Sequence, residues 1–319
     1  MQTVGVLKYL VENRPKEETQ YNVVTGNSCG SINALSFAQF PIGKEKDAIQ
    51  FILDKWHSIK SSDVYTEWKP FGLAQGFLYE SGLFNTAPLY QYLYQNINDS
   101  TLLHTSPIPT SNRYWRIGAS NLRKFSYRVF TNDNVKTKKD LIRAIVASSA
   151  IPGIFPAVDI DGELYVDGGM KYMTPISDAI EKCKNLTRKV YNNYTSLKSN
   201  GDRLSPHEKV QGRITIDVIL AINSVPYPKL FEFNTTPFIL LETIYNSAMD
   251  ILLRDLENAR LIYKDDPNVQ IRAFLPKHWL PGYFIGFNAK EISDMIDKGF
   301  SSAQQYFNST RTEIHIHHK

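Results

Sequence analysis

Apolar positions along this chain recur with two periods, every three to four residues or every second residue, and the switches between them lay out its elements. Val4, Leu7 and Leu10 or Val11 line one face of a helix that stops before Pro15. Residues 44–60 form a second helix, with Ile49, Ile52, Leu53, Trp56 and Ile59 on its buried side. Asn85-Thr86-Ala87-Pro88 starts a third, with a capping residue and a first-turn proline, and Leu89, Tyr92, Leu93 and Ile97 continue it. Further helices are predicted over 138–149, 238–261 and 289–307, each with an apolar stripe. The two-residue period marks strands at 114–120 and 125–130, joined by a short polar turn, and at 157–160 and 163–166 around Asp161-Gly162, a hairpin signal. Residues 214–222 and 269–274 read as later strands. Strands alternating with helices predict a layered α/β architecture. The stretch 61–84 has no clean period and is rich in aromatics, among them Trp68, Phe71, Phe77, Tyr79 and Phe84, so it reads as a loop near a site entrance.

The chemistry concentrates in two places. Residues 21–25 are β-prone and run into Gly26-Asn27-Ser28-Cys29-Gly30, after which Ile32, Leu35 and Ala38 fall at helical spacing. Strand, Gly-x-Ser-x-Gly and helix form the pattern of a nucleophile elbow, in which a sharp turn presents the serine beside a helix N-terminus. Gly26 and Gly30 are expected to keep side chains out of that crossing. A serine hydroxyl needs a base to take its proton and dipoles to stabilise the oxyanion it creates. The second place is Ala147-Ser148-Ser149-Ala150-Ile151-Pro152-Gly153-Ile154-Phe155-Pro156 followed by the 157–166 hairpin, which ends in Asp167-Gly168-Gly169. It puts a carboxylate at a strand end, with two glycines that let other backbone approach.

Composition narrows the class. With 319 residues, 42% hydrophobic and 21% charged, the chain is an ordinary globular protein. Its net charge of +4 is not the clustered excess of a nucleic-acid binder. Two cysteines, Cys29 and Cys183, make no disulfide framework, which fits a reducing compartment. No secretory signal is read at the start, and no run reaches the length of a transmembrane helix. Residues 184–213 are polar and basic and read as a surface insertion in a single domain spanning 1–319.

Gly26-Asn27-Ser28-Cys29-Gly30, the Ala-Ser-Ser-Ala-Ile-Pro-Gly-Ile-Phe-Pro run and Asp167-Gly168-Gly169, in this order, resemble the patatin-like phospholipases. The likeness extends from Val4 to about Ile176. It implies a three-layer α/β sandwich, with a mostly parallel central sheet flanked by helices, that hydrolyses acyl esters of lipids without metal or cofactor. By the same resemblance Ser28 is the nucleophile and Asp167 the base, with no histidine between them. The implied partner is a lipid substrate at a membrane or droplet surface, and the implied location is cytoplasmic or peripheral to a membrane. Two departures stand out. The family's opening strand and glycine-rich oxyanion loop, which precede the helix beginning here at residue 4, are not in this sequence, which leaves the oxyanion donors unassigned, with the Cys29 amide one candidate, and predicts an unpaired edge beside the strand at 23–24. An asparagine usual after the Asp-Gly motif is replaced by Met173. Two other readings compete: an α/β-hydrolase triad of Ser28, Asp167 and His278, and a catalytically impaired relative that binds lipid or a protein partner.

Overall fold

The protein is described by a computed structural model over residues 1–102, 112–197, 213–221, 235–276 and 286–309. The expected α1 (Gln2–Asn13) is followed by a short α2 (Lys16–Thr19), then β1 (Val23–Thr25) and the elbow helix α3 (Cys29–Ala38). The helical period at 44–60 forms α4 (Glu45–Ser58). The aromatic stretch is not a plain loop: it holds α5 (Ser61–Val64) and α6 (Gly72–Tyr79). Its period is hidden because α6 is apolar nearly all round and leaves Phe77, Leu78 and Tyr79 exposed. Next come α7 (Ala87–Asn96), β2 (Tyr114–Asn121), β3 (Tyr127–Thr131), α8 (Lys138–Ser148), β4 (Val158–Ile160) and β5 (Glu163–Asp167). The second half contributes α9 (Ile176–Leu197), β6 (Ile214–Ile219), α10 (Thr236–Tyr263), β7 (Val269–Phe274) and α11 (Ala289–Asn308). Residues 184–197 of the polar stretch continue α9, while 198–212 and His278 lie outside the described residues.

β2 is buried at all eight positions and organises the main sheet, whose path is β1-β2-β5-β4 with β3 also on β2. The α/β class is as expected, but the strand directions are mixed rather than mostly parallel. β1 runs parallel to β2, whereas β3 and β5 run antiparallel to it and β4 antiparallel to β5. The short β2–β3 and β4–β5 connections impose this, because a tight turn can only join antiparallel neighbours. In the second turn Asp161 and Gly162 both have positive φ, 58° and 79°, as a two-residue hairpin loop requires. β6 and β7 pair in parallel as a separate two-stranded sheet.

Side-chain alternation along β2 separates two helical layers. Trp115, Ile117 and Ala119 point into a core shared with Leu89 and Leu93 of α7 and Leu141 and Ile145 of α8. The intervening residues face α9: Tyr114 lies under the Lys182 ammonium at 3.6 Å, and Arg116 pairs with Asp178 at 2.6 Å. A second core joins α1, α4 and α11 through Val4, Ile52, Trp56, Ile292 and Ile296.

Just before β2, the fully buried Arg113 side chain ties three segments together. It donates to the Tyr21 carbonyl ahead of β1, to the carbonyls of Phe40 (3.1 Å) and Pro41 (3.2 Å) after α3, and to Glu45 of α4 at 2.5 Å. Burial lowers its pKa and the Glu45 carboxylate opposes that shift. Arg113 thus holds the entry of β1 against β2. Removing one partner of a buried pair strands the other, so Arg113→Ala is expected to cost roughly 3–5 kcal/mol. Urea unfolding should show a lower midpoint with an unchanged slope.

Candidate active site

Ser28 and Asp167 meet because β1 and β5 share one edge of β2. Arg116 pairs with Thr25 on one side and Thr131 on the other, and Ala119 pairs with Asp167 on one side and Arg128 on the other. β3 therefore occupies one edge of β2 alone, while β1 covers the first half of the opposite edge and β5 the second half. β1 runs with β2 and β5 against it, so their C-terminal ends point at each other across positions 117 and 118. The chain leaves β1 into the elbow and leaves β5 at Asp167, which brings the Ser28 hydroxyl close enough to the Asp167 carboxylate to draw its pKa down. Asp167 is 5% exposed and also accepts from the Gly169 N–H at 2.8 Å. Burial pushes its pKa up to about 6, and the nearby Ser28 hydroxyl and the Gly169 amide pull it only part of the way back.

Ser28 has φ 56° and ψ −137°, a conformation that side chains rarely adopt and that must be held by its surroundings. Its N–H donates to the Ser148 carbonyl at 3.0 Å and lies 3.2 Å from Ser148 Oγ. Its carbonyl accepts from Ser31 Oγ at 2.6 Å and Ser149 Oγ at 3.0 Å. The Ala150 carbonyl, two residues beyond Ser148, accepts from the Asp167 N–H at 2.8 Å. The Ala-Ser-Ser-Ala run is thus a bracket that grips both candidate residues from behind. Glycine is required where backbone crosses backbone: a Cβ on Gly26 would lie 2.2 Å from the Gly30 carbonyl oxygen, and one on Gly168 would lie 2.3 Å from that of Gly118. Gly30 does not share this role, because a Cβ there meets open space.

Asn27 fastens the elbow to its neighbours. Its Oδ1 accepts from the Gly118 N–H at 3.1 Å and the Tyr127 hydroxyl at 2.9 Å, while its Nδ2 donates to the Tyr172 carbonyl. Burial pushes the Tyr127 hydroxyl up to about 12, so it stays protonated and a donor. Met173, in place of the family's asparagine, packs against Gly169, and its amide is held by Asp255 of α10. The sequence reading did not single out Tyr127 or Asp255. Asp255 had a signal, a carboxylate placed on the apolar stripe between Leu252 and Ala259.

Cys29 opens α3 immediately after Ser28. The thiol is reachable through the adjoining cavity, yet the surrounding walls desolvate it and raise its pKa, with the Asp167 charge adding to that. Burial likewise pushes Cys183 up to about 11.

The cavity over the pair has a volume of about 1010 Å³, at the upper end for small-molecule sites. Val23–Thr25 and Ile214–Ile219 line it continuously, so two strands present their edges to it rather than alternate side chains. Among the described residues β1 pairs only with β2, and the edge expected to lack a partner faces this cleft. Apolar walls come from Leu89, Tyr92 and Leu93 of α7, Ala179 of α9, and Ala248 and Leu252 of α10. Of the aromatic stretch expected near a site entrance, Trp68, Phe71, Phe77 and Tyr79 do not line this cavity. Trp68 instead donates to the Gly82 carbonyl at 3.0 Å, and the other three point outward. The triad reading needs His278, which lies outside the described residues. Among the described residues no His, Cys, Asp and Glu cluster is placed to hold a metal ion.

Comparison with known proteins bears on the family of this chain. An uncharacterized protein of Acanthamoeba polyphaga mimivirus, R571, is 28% identical over 189 residues, which cover 58% of this chain and 60% of that protein. The crystal structure of VipD from Legionella pneumophila aligns with 96% of this chain and 64% of its own, at 11% identity and a TM-score of 0.36, a likeness that bears on neither site nor reaction. The chain therefore spans less than two thirds of the length of either relative. The family model described as patatin-like phospholipase matches residues 3–180, more than half of the chain and all the residues placed around Ser28 and Asp167 up to Ile180. The chain belongs to the patatin-like phospholipase family, a family of lipid acyl hydrolases.

Proposed function

We propose that this chain hydrolyses the acyl ester bonds of lipids through a Ser28–Asp167 dyad and an acyl-enzyme intermediate. The observation that carries the reading is the meeting of Ser28 and Asp167 where β1 and β5 end on one edge of β2, both lining a large, apolar-walled cavity. An ordinary aspartate, near 3.9, is a feeble base at neutral pH. Asp167, raised to about 6, remains ionised there but takes a proton more readily. As Ser28 Oγ attacks the ester carbonyl carbon, its proton passes to Asp167. The oxyanion that forms meets the N-terminal turn of α3, where the helix dipole is positive. Collapse breaks the carbon–oxygen bond to the alcohol, which leaves with the proton from Asp167. A water deprotonated by Asp167 then attacks the acyl-serine, and as the acyl–Oγ bond breaks Asp167 returns that proton to Ser28 Oγ, releasing the fatty acid. The reading places the substrate at a membrane or droplet surface that the protein visits peripherally. No described helix is long and apolar enough to cross a membrane.

A lipid-binding relative with impaired catalysis is the competing reading, and the cleft beside β1, which among the described residues pairs on one edge only, favours it. Fatty-acid release from phosphatidylcholine vesicles separates the two. Wild-type protein is expected to release fatty acid with a rate that rises through about pH 6, as Asp167 ionises. Ser28→Ala should abolish release and Asp167→Asn should lower it by roughly 10²–10⁴-fold. Turnover of short soluble esters with no gain on vesicles would contradict a lipid substrate, and silence on both would favour the binder.

The same carboxylate makes a stability prediction. Asp167 binds its proton more tightly folded, near 6, than unfolded, near 3.8. Its contribution to stability is full below the unfolded value and is lost as pH rises through the folded one. Asp167→Asn, which removes that charge but keeps an acceptor, should stabilise the protein at about pH 7.5 by on the order of 1–3 kcal/mol. In thermal unfolding the gain should shrink as pH falls toward 4, roughly the unfolded value. A variant less stable than wild type at neutral pH would refute the claim that Asp167 is held charged at a cost.

A further inference from the structure

On the far side of the site from the bracket at 148–150, a carboxylate in the C-terminal half reaches the loop that follows Asp167. Asp255 Oδ2 accepts from both the Met173 N–H and the Thr174 N–H, each at 2.8 Å. These amides lie directly after Tyr172, whose carbonyl accepts from Asn27 Nδ2, while the Met173 carbonyl lies 3.4 Å from the same nitrogen. Asn27 is the residue before Ser28, and its other end is fixed by the Gly118 amide and the Tyr127 hydroxyl. At the loop's beginning, Gly169 carries the amide that binds Asp167, and the Met173 side chain packs against Gly169. A loop of a few residues therefore connects to the carboxylate at its start and to the elbow at Tyr172, and Asp255 holds its far end at residues 173 and 174.

We infer that Asp255 is a positioning residue for the Ser28–Asp167 pair, a latch on α10 that sets the separation of nucleophile and base through the 170–174 loop. The inference rests on the dyad reading, and it gives the C-terminal half a task beyond enclosing the cavity. The chemistry suits a latch. Two backbone donors converging on one carboxylate oxygen form charge-assisted bonds, stronger than neutral ones and directional. Burial pushes Asp255 up to about 6 while the two amides draw it back, so it is ionised at neutral pH and accepts from both. Ordinary anchoring of a surface loop would need none of the further links, namely Tyr172 to Asn27 and Met173 to Gly169. The geometry also says why Met173 is tolerated where the family has asparagine: the loop is held through backbone amides by Asp255 rather than through the side chain at 173.

Turnover of p-nitrophenyl butyrate, together with amide hydrogen exchange on the full chain, tests the latch. Asp255→Ala is expected to lower kcat by on the order of tenfold to a hundredfold with KM within about twofold, the signature of misplaced reacting groups rather than lost binding. Exchange should quicken at the Met173 and Thr174 amides and also at Ser28, Cys29 and Gly30. Asp255→Asn, which keeps an oxygen in place but loses the charge, should recover kcat to within about twofold to fivefold of wild type. Wild-type kcat in Asp255→Ala, or faster exchange confined to Met173 and Thr174, would overturn the inference. Should Asp255→Ala fail to fold, Asp255→Asn decides alone: a fall of at least about twofold with a loosened elbow supports the latch, and wild-type values refute it. No turnover in the wild-type protein would sink the hydrolase reading, while the spread of exchange from loop to elbow would still decide the latch.

Discussion

The site depends on a crowding constraint at one edge of β2. Two strands, β1 and β5, arrive from opposite directions on that edge and have room to stop only around positions 117 and 118. β2 is buried along its whole length and flanked on its other edge by β3, so this meeting point cannot slide without breaking the register of the whole sheet. Ser28 and Asp167 are the residues at the two stops. Their proximity follows from strand pairing, and the shared bracket at 148–150 then fixes the backbone of both.

Holding them there is costly, and the surroundings offset the cost. Ser28 carries a positive φ, and Asp167 is a carboxylate almost removed from water. The serine hydroxyls of 31 and 149, the carbonyls of 148 and 150, and the Gly169 amide satisfy the groups that the strained geometry would otherwise strand. Burial of this kind is how a site raises the pKa of a base toward working pH. Stability given up at Asp167 is regained in the cores around Trp115, Ile145 and Ile52, which have no part in the chemistry.

Much of this was legible in the sequence where local rules and tertiary structure agree. The Asp161-Gly162 turn, the proline start of α7 and the apolar stripes of α4, α8 and α11 could be read directly, because each depends on neighbours in the chain. The Gly-x-Ser-x-Gly elbow and Asp167 could be singled out for the same reason, although nothing in periodicity brings residues 28 and 167 together. That meeting is a property of the β2 edge. Strand direction was missed because two hairpins outweigh the parallel pairing of β1, and α6 was missed because a helix exposing Phe77 and Tyr79 has no polar face to reveal its period. Asn27, Tyr127 and Asp255 were hard to read as a set, since their partners lie about a hundred positions away.

The central claim is that Ser28 is a nucleophile activated by Asp167, and covalent capture tests it most directly. Intact protein treated with a fluorophosphonate and mapped by peptide mass spectrometry should carry one adduct, on Ser28, formed much more slowly in Asp167→Asn. An unmodified Ser28, an adduct on another serine, or labelling indifferent to Asp167 would contradict the account.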